Sequence, residues 1–219
     1  MSLDLLVIGA HPDDAELGAA GLLHLASQRR WSTGIVCLTR GEGGVLGDAT
    51  TRTREARESA ELLRVDVFKQ LDLGDTLLDT GRARLEAVEE VLLETRPARI
   101  VTHHPDDWNP DHRAAWTLVD GAWAAANRGG RHGARAIARP RLLQFRIDVR
   151  RAVPPTLVVD ITSAWPVKER ALACHASQAP IVEAAPLLAR AWGALIGSER
   201  GEAFASPEAI ALNDRLELG

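Results

Sequence analysis

Two clusters of histidine and aspartate carry the residue types best suited to chemistry in this sequence. Residues 11–14 read His-Pro-Asp-Asp, and residues 103–112 begin with two histidines and end in Asp-His. Imidazole nitrogens and carboxylate oxygens form the ligand set that suits a catalytic zinc ion. Zinc with three protein ligands lowers the pKa of a bound water towards about 7, so hydroxide becomes available at neutral pH. The clusters therefore predict metal-assisted hydrolysis.

Each cluster directly follows an apolar run of strand length. Further strands are expected at 34–38 and 67–68, and helices at 15–30, 51–63, 82–94 and 111–127. This alternation predicts a three-layer α/β fold with a largely parallel sheet. Ligands bind beyond the carboxyl ends of the strands in such sheets, which is where both clusters lie.

The back half is less regular from about residue 140, and we expect residues 1–219 to form a single domain. Strands are predicted at 142–147 and 156–161, with helices after Trp165 and over 181–195. The net charge of −4 argues against nucleic acid as a partner. No apolar run approaches the roughly 20 residues that cross a bilayer, and residues 1–10 lack the basic region, long apolar stretch and cleavage site by which a signal peptide is predicted. Two distant cysteines form no disulfide framework, so a cytoplasmic protein without membrane contact is expected.

The adjacent carboxylates of the first cluster suggest a division of labour. In a tight turn only one of Asp13 and Asp14 easily faces a metal, which leaves the other to accept a proton from the bound water. Asp111, beside His112, is a candidate to orient an imidazole. A plainer interpretation stays open for the first cluster alone, because Asp near Pro is common in turns and at helix starts.

Both clusters carry a family resemblance. Residues 10–18, AHPDDAELG, and residues 109–112, NPDH, resemble the AHPDD and HPDH motifs of the LmbE-like, or PIG-L, zinc N-deacetylases. Weaker similarities extend over nearly the whole chain, and those near its end resemble the bacillithiol-pathway branch. All the weaker similarities together lie at 39–42, 52–56, 73–75, 168–178 and 201–204, and the last two ranges are those that resemble the bacillithiol-pathway branch.

The resemblance implies a Rossmann-like three-layer αβα sandwich that holds one Zn²⁺ per chain. By position, the implied metal ligands are His11, Asp14 and His112, and the implied general base is Asp13. Arg52 and Asp75 match family residues that contact substrate. The family also suggests a homo-oligomer, a trimer or hexamer.

Asn109 departs from the family pattern, which commonly has histidine there. An amide can donate a hydrogen bond to an oxyanion, but it cannot deliver a proton to a leaving amine. The tyrosine invoked in the mycothiol branch is excluded, because the chain has none. The preferred hypothesis is that Asp13 returns the proton it took from water, with His104 and His175 as further candidates.

The implied reaction is hydrolysis of the acetamide on an N-acetylglucosamine derivative. N-acetylglucosaminyl malate, of bacillithiol biosynthesis, is the expected substrate, with Arg52 and a second arginine such as Arg131 or Arg146 meeting its carboxylates. Trp108 is a candidate to face a sugar ring. The alternatives are another acetamido sugar, a sugar-thiol conjugate, or a Rossmann-like protein that binds metal or sugar without turnover.

Overall fold

A computed structural model of the chain describes residues 2–44, 46–76, 78–128, 137–147 and 154–208. Within these ranges the strands are β1 Leu5–Gly9, β2 Thr33–Cys37, β3 Val67–Gln70, β4 Arg99–Thr102, β5 Arg141–Phe145, β6 Leu157–Asp160 and β7 Gly201–Ala205. The helices are α1 Asp14–Gln28, α2 Ala49–Leu63, α3 Arg82–Thr95, α4 Pro110–Asn127, α5 Trp165–Ala173, α6 Ala179–Val182 and α7 Ala185–Ala194. Single 3₁₀ turns, Thr162–Ala164 and Ala176–Gln178, precede α5 and α6.

The strands form one sheet in the order β3-β2-β1-β4-β5-β7-β6. The first five run parallel, whereas β7 is antiparallel to both of its neighbours. From β1 the chain moves outward to β2 and β3, and then returns to place β4 on the other side of β1. This reversal is a topological switch point, where open α/β sheets bind ligands. The predicted, mostly parallel α/β fold is confirmed.

The core lies on both faces of the sheet, because alternate strand residues point to opposite sides. Leu6 and Ile8 of β1 pack among buried side chains of α3 and α4. Leu5 and Val7 pack on the other face, with buried side chains of α1 and with Ala171 of α5. Helix layers therefore cover both faces, as the sequence pattern predicted.

A buried ion pair joins the back half of the chain to α1. Lys168 of α5 donates to Glu202 of β7 across 2.6 Å, and both side chains are almost wholly buried. Lys168 also donates to the Leu17 carbonyl, while Glu202 accepts from the backbone N–H groups of Gly21 and Leu22. An α-helix normally joins the Leu17 carbonyl to the Gly21 N–H. Lys168 and Glu202 therefore bind the same carbonyl and N–H groups that a regular helix joins to each other.

The back half differs from the prediction in two places. The helix predicted over 181–195 is two helices, since α6 ends at Val182 and α7 begins at Ala185, with Pro186 in its first turn. Proline is tolerated there because the first N–H groups of a helix have no helical partner. Strand β7 was not predicted. No helix in the described ranges is long and apolar enough to cross a membrane.

Candidate metal and active site

The two predicted clusters meet at the switch point of the sheet. His11 follows β1, and His103 follows β4, the neighbouring parallel strand. His103 is fully buried and accepts a hydrogen bond from the Ala10 backbone N–H at the end of β1. Burial lowers its pKa to about 4, so the ring is neutral at pH 7. The loops after β1 and β4 are therefore tied together directly beneath the site.

The sharp start of α1 places the adjacent carboxylates. Asp13 has a φ of 107°, a left-handed conformation, and Asp14 is the first residue of the helix. Asp14 folds back over the end of β1, where its Oδ2 accepts from the His11 N–H at 2.7 Å. A Cβ at Gly9 would lie 2.7 Å from the Asp14 Cβ, so only glycine permits this close approach.

His11, Asp14 and His112 converge, as the family resemblance implied. One potential ligand atom from each lies within 4.8 Å of the other two. Asp14 lies between the histidines, with Oδ2 3.5 Å from Nδ1 of His11 and Oδ1 3.4 Å from Nε2 of His112. Two imidazoles and one carboxylate form a donor set that catalytic zinc sites use.

A carboxylate lies beside each histidine ring. Asp111, the candidate from the sequence to orient an imidazole, lies 3.3 Å from Nε2 of His11, whereas its neighbour His112 has a different carboxylate partner. Consecutive residues on a helix do not face each other, so Asp111 cannot turn towards His112. Asp107, from the loop before α4, lies 3.2 Å from Nδ1 of His112 and takes that place. Asp107 stands inside the second cluster but was not among the site residues predicted from the sequence.

The site holds more negative than positive charge. The carboxylates of Asp13, Asp14, Asp75, Asp107 and Asp111 are all buried. Burial alone lowers the pKa of His11, but hydrogen bonds to Asp111, Asp14 and Asp75 raise it well above its ordinary value. The surroundings thus favour a cation at this place. A divalent metal ion fits both the donor set and the charge.

Asp13 differs electrostatically from Asp14. Burial and the neighbouring Asp14 charge raise the pKa of Asp13 to about 7, although the Arg52 guanidinium opposes this. Burial alone would raise the pKa of Asp14, but the interactions of its carboxylate with His112, His103 and His11 hold that pKa well below the ordinary value. Two adjacent carboxylates whose pKa values lie far apart suit the separate roles of proton acceptor and metal ligand.

Arg52 and Asp75 line the cavity described below, yet both are engaged inside the protein. Arg52 is buried and donates to the Gly41 carbonyl at 2.9 Å and the Pro12 carbonyl at 2.8 Å. Asp75 lies 3.1 Å from Nε2 of His11 and accepts from the Gly43 N–H. Burial raises the pKa of Asp75, but hydrogen bonding to His11 and the His11 charge lower it to about 2. Both residues position the site more than they present free groups to a substrate.

Asn109 is the N-cap of α4. Its side-chain oxygen accepts from the Asp111 N–H at 2.9 Å, and its own N–H donates to Asp107. The cap uses the amide oxygen, so the amide NH₂ is the group that can donate towards a ligand. Asn109 lies on the cavity wall with His112 and Asp13.

The site opens into a cavity of about 530 Å³, whose lining includes His11, Asp13, Asp14, Asn109 and His112. Trp108 also lines it and keeps 43% of its surface exposed. His104 and His175 do not line it: His104 accepts from the Asp106 N–H, and the buried His175 lies 3.4 Å from Glu16. Arg146 is buried outside the lining, and Arg131 lies outside the described residues.

The carboxylate of Asp107 gives the first testable prediction. Asp107→Asn should weaken zinc affinity by about 10- to 100-fold, because the variant removes the charge behind His112 but keeps an oxygen for the Asn109 N–H. Competition with a chromogenic chelator measures this affinity. Asp106→Asn, an exposed residue in the same loop, is the matched control. Equal affinities for the two variants would contradict the role given to Asp107.

Comparison with known proteins identifies several relatives of this chain. A diacetylchitobiose deacetylase of Thermococcus kodakarensis is 31% identical, over 80% of this chain and 70% of its own. A 4-oxalmesaconate hydratase of Pseudomonas putida is 28% identical, over 79% and 73%. A probable N-acetyl-α-D-glucosaminyl L-malate deacetylase of Bacillus subtilis is 27% identical, over 81% and 84%.

A solved structure of a conserved protein from Thermus thermophilus has the same fold. Its TM-score is 0.88 at 31% identity, with 97% of this chain and 98% of that chain covered. The family model described as PIG-L, GlcNAc-PI de-N-acetylase, matches residues 6–123, more than half of the sequence, including both motif clusters. The chain therefore belongs to the PIG-L family of deacetylases.

Proposed function

We propose that this protein is a zinc-dependent N-deacetylase that hydrolyses the acetamide of an amino sugar. One observation carries the proposal: the potential metal ligands His11, Asp14 and His112 share a single cavity with Asp13 and Asn109. A metal site, a proton acceptor and a hydrogen-bond donor are the groups that hydrolysis of an unactivated amide needs.

Zinc held by His11, Asp14 and His112 would supply a Lewis acid for the acetyl carbonyl and would lower the pKa of water. Asp13 takes the proton from the attacking water, and its raised pKa suits an acceptor that must release the proton again. Arg52, 3.5 Å from Asp13, and its bond to the Pro12 carbonyl hold that carboxylate in place. The Asn109 NH₂ donates to the oxygen on which negative charge develops.

The bonds and protons balance with these groups alone. The water oxygen forms a bond to the acetyl carbon, the carbon–nitrogen bond breaks, and Asp13 passes its proton to the departing nitrogen. The second proton of the water stays on the new carboxyl group, which releases it to solvent at neutral pH, so the products are acetate and an amino sugar. Asp13 is preferred as the acid because it lines the cavity, which His104 and His175 do not.

The finer substrate assignment, N-acetylglucosaminyl malate in bacillithiol biosynthesis, has the Bacillus subtilis relative in its favour. The charge of the cavity does not favour it, since Arg52 is the one Lys or Arg side chain in the described lining and already donates to two carbonyls. We therefore propose the acetamido sugar as the substrate class and retain the malate glycoside as a substrate to assay.

Hydration is the second candidate, favoured by the Pseudomonas putida relative at a similar identity. The same water activation would then serve addition to a carbon–carbon double bond. An unsaturated polycarboxylate needs cationic partners, and the described lining offers few, so deacetylation fits better.

Acetate release tests the proposed function directly. Zinc-loaded protein should release acetate stoichiometrically with free amine from N-acetylglucosamine, diacetylchitobiose or N-acetylglucosaminyl malate, and a chelator should abolish the reaction until zinc is returned. Loss of absorbance from 4-oxalmesaconate without acetate release from any sugar would indicate the hydratase instead. Bound zinc with neither reaction would favour a binding protein.

A further inference from the structure

The cavity of the proposed active site has an apolar part in addition to its polar one. Leu46, Trp108, Ile147 and Pro180 line it together with the metal-site residues. Leu46 and Trp108 are 51% and 43% exposed, so apolar surface at this cavity is open to solvent. Exposed apolar surface that borders a binding cavity marks a place where a ligand is expected to cover it.

The polar side chains beside this apolar part are bonded within the protein. The Ser177 hydroxyl donates to Glu55 at 2.6 Å. The Gln178 amide donates to the Leu46 and Ser177 carbonyls at 2.7 and 2.8 Å. These bonds hold the loop that carries Leu46 against the segment before Pro180. The side-chain donors of Ser177 and Gln178 are therefore already engaged and do not offer hydrogen bonds to sugar hydroxyls or carboxylates.

The charge of the cavity also favours an apolar group over a carboxylate. Asp13, Asp14 and Asp75 line it, and the cation Arg52 already donates to Gly41 and Pro12. A carboxylate attached to the sugar would lose its hydration without gaining a free cation in the described lining, whereas an apolar group would gain contact with Leu46 and Trp108.

We propose that Leu46, Trp108, Ile147 and Pro180 form a subsite for an apolar aglycone, an aryl or alkyl group linked to the acetamido sugar. This inference rests on the proposed function, because the metal site is taken to hold the acetamide. It assigns the substrate class as glycosides with an apolar aglycone, in preference to a malate glycoside.

Phenyl and methyl glycosides of N-acetylglucosamine test the subsite, since they differ only in the aglycone. In the zinc-loaded wild-type protein, the phenyl glycoside should have a KM at least about tenfold lower with kcat little changed. Leu46→Asn and Trp108→Ala should each reduce this preference to about threefold or less. Leu187→Asn on α7, where the side chain is 74% exposed and outside the lining, should keep the full preference.

Binding of the two glycosides by calorimetry separates this inference from the proposed function. Tighter binding of the phenyl glycoside that depends on Leu46 and Trp108 would support the subsite even if no acetate were released, an outcome that would overturn only the deacetylase. Equal affinity for both glycosides, a preference for the malate glycoside, or a preference unchanged in Leu46→Asn and Trp108→Ala would overturn the subsite.

Discussion

Replacing Asp13 by asparagine should lower kcat for acetate release by about 10²- to 10⁴-fold while the protein still binds zinc. Asn109 and the three potential metal ligands keep their groups, and only the proton acceptor is lost. Asparagine is the right replacement because residue 13 has a φ of 107°, and asparagine is among the residues that tolerate a left-handed backbone. An alanine variant would add backbone strain to the loss of the carboxylate.

Asp14→Asn is the informative partner of that variant. Asp14 lies between the two histidines, so its amide variant should lose both bound zinc and activity. Asp106→Asn, an exposed change of the same charge, should lose neither. Metal content by mass spectrometry and kcat at saturating substrate separate the three. Wild-type turnover by Asp13→Asn, or loss of zinc from it, would contradict the assigned roles.

The second large effect concerns stability. Lys168→Met should reduce the free energy of unfolding by about 3–5 kcal/mol, because it leaves the Glu202 charge buried without its partner. The double variant Lys168→Met/Glu202→Gln should be less destabilised than the sum of the single changes. The oxygen of the introduced glutamine amide can still accept from one of the two α1 N–H groups that Glu202 binds, and no charge is left unpaired.

Urea titrations of the wild type, Lys168→Met, Glu202→Gln and the double variant provide this comparison. Arg54→Met breaks an exposed ion pair with Glu58 and should change stability little, which controls for the loss of a positive charge. If Lys168→Met and Arg54→Met lowered the urea midpoint of unfolding equally, the buried Lys168–Glu202 pair would contribute no more to stability than the exposed Arg54–Glu58 pair.

Local patterns predicted the front half of the fold, where apolar runs such as residues 5–9 and amphipathic helices alternate. They did not predict β7, whose five residues Gly-Glu-Ala-Phe-Ala contain no β-branched side chain and place a glutamate in the core. That glutamate is buried only because a lysine and helix N–H groups from elsewhere in the chain satisfy it. No property of neighbouring residues signals such a partnership.

The candidate site likewise combines features that the sequence predicted with contacts between distant residues that it did not predict. The two clusters were predicted from the sequence because each follows a strand, and the family resemblance implied His11, Asp14 and His112 as the metal ligands within them. Their supporting contacts were not: Asp75 reaches His11 from a loop 64 positions away, and Asp111 faces His11 because of helix geometry. Arg52 looked like a substrate contact, and only the structure shows its guanidinium bound to two carbonyls.

The ion pair between Lys168 and Glu202, which contacts the backbone of α1, also bears on how the chain folds during synthesis. Asp14 begins α1, but the partners of Leu17 and Gly21 lie 151 and 181 positions further along the sequence. Synthesis proceeds from the N-terminus, so the residues of α1 are made before Lys168 and Glu202. During that time α1 lacks the contacts that these two side chains provide. The contacts that Lys168 and Glu202 make with the backbone of α1 therefore form late, after β7 has been synthesised.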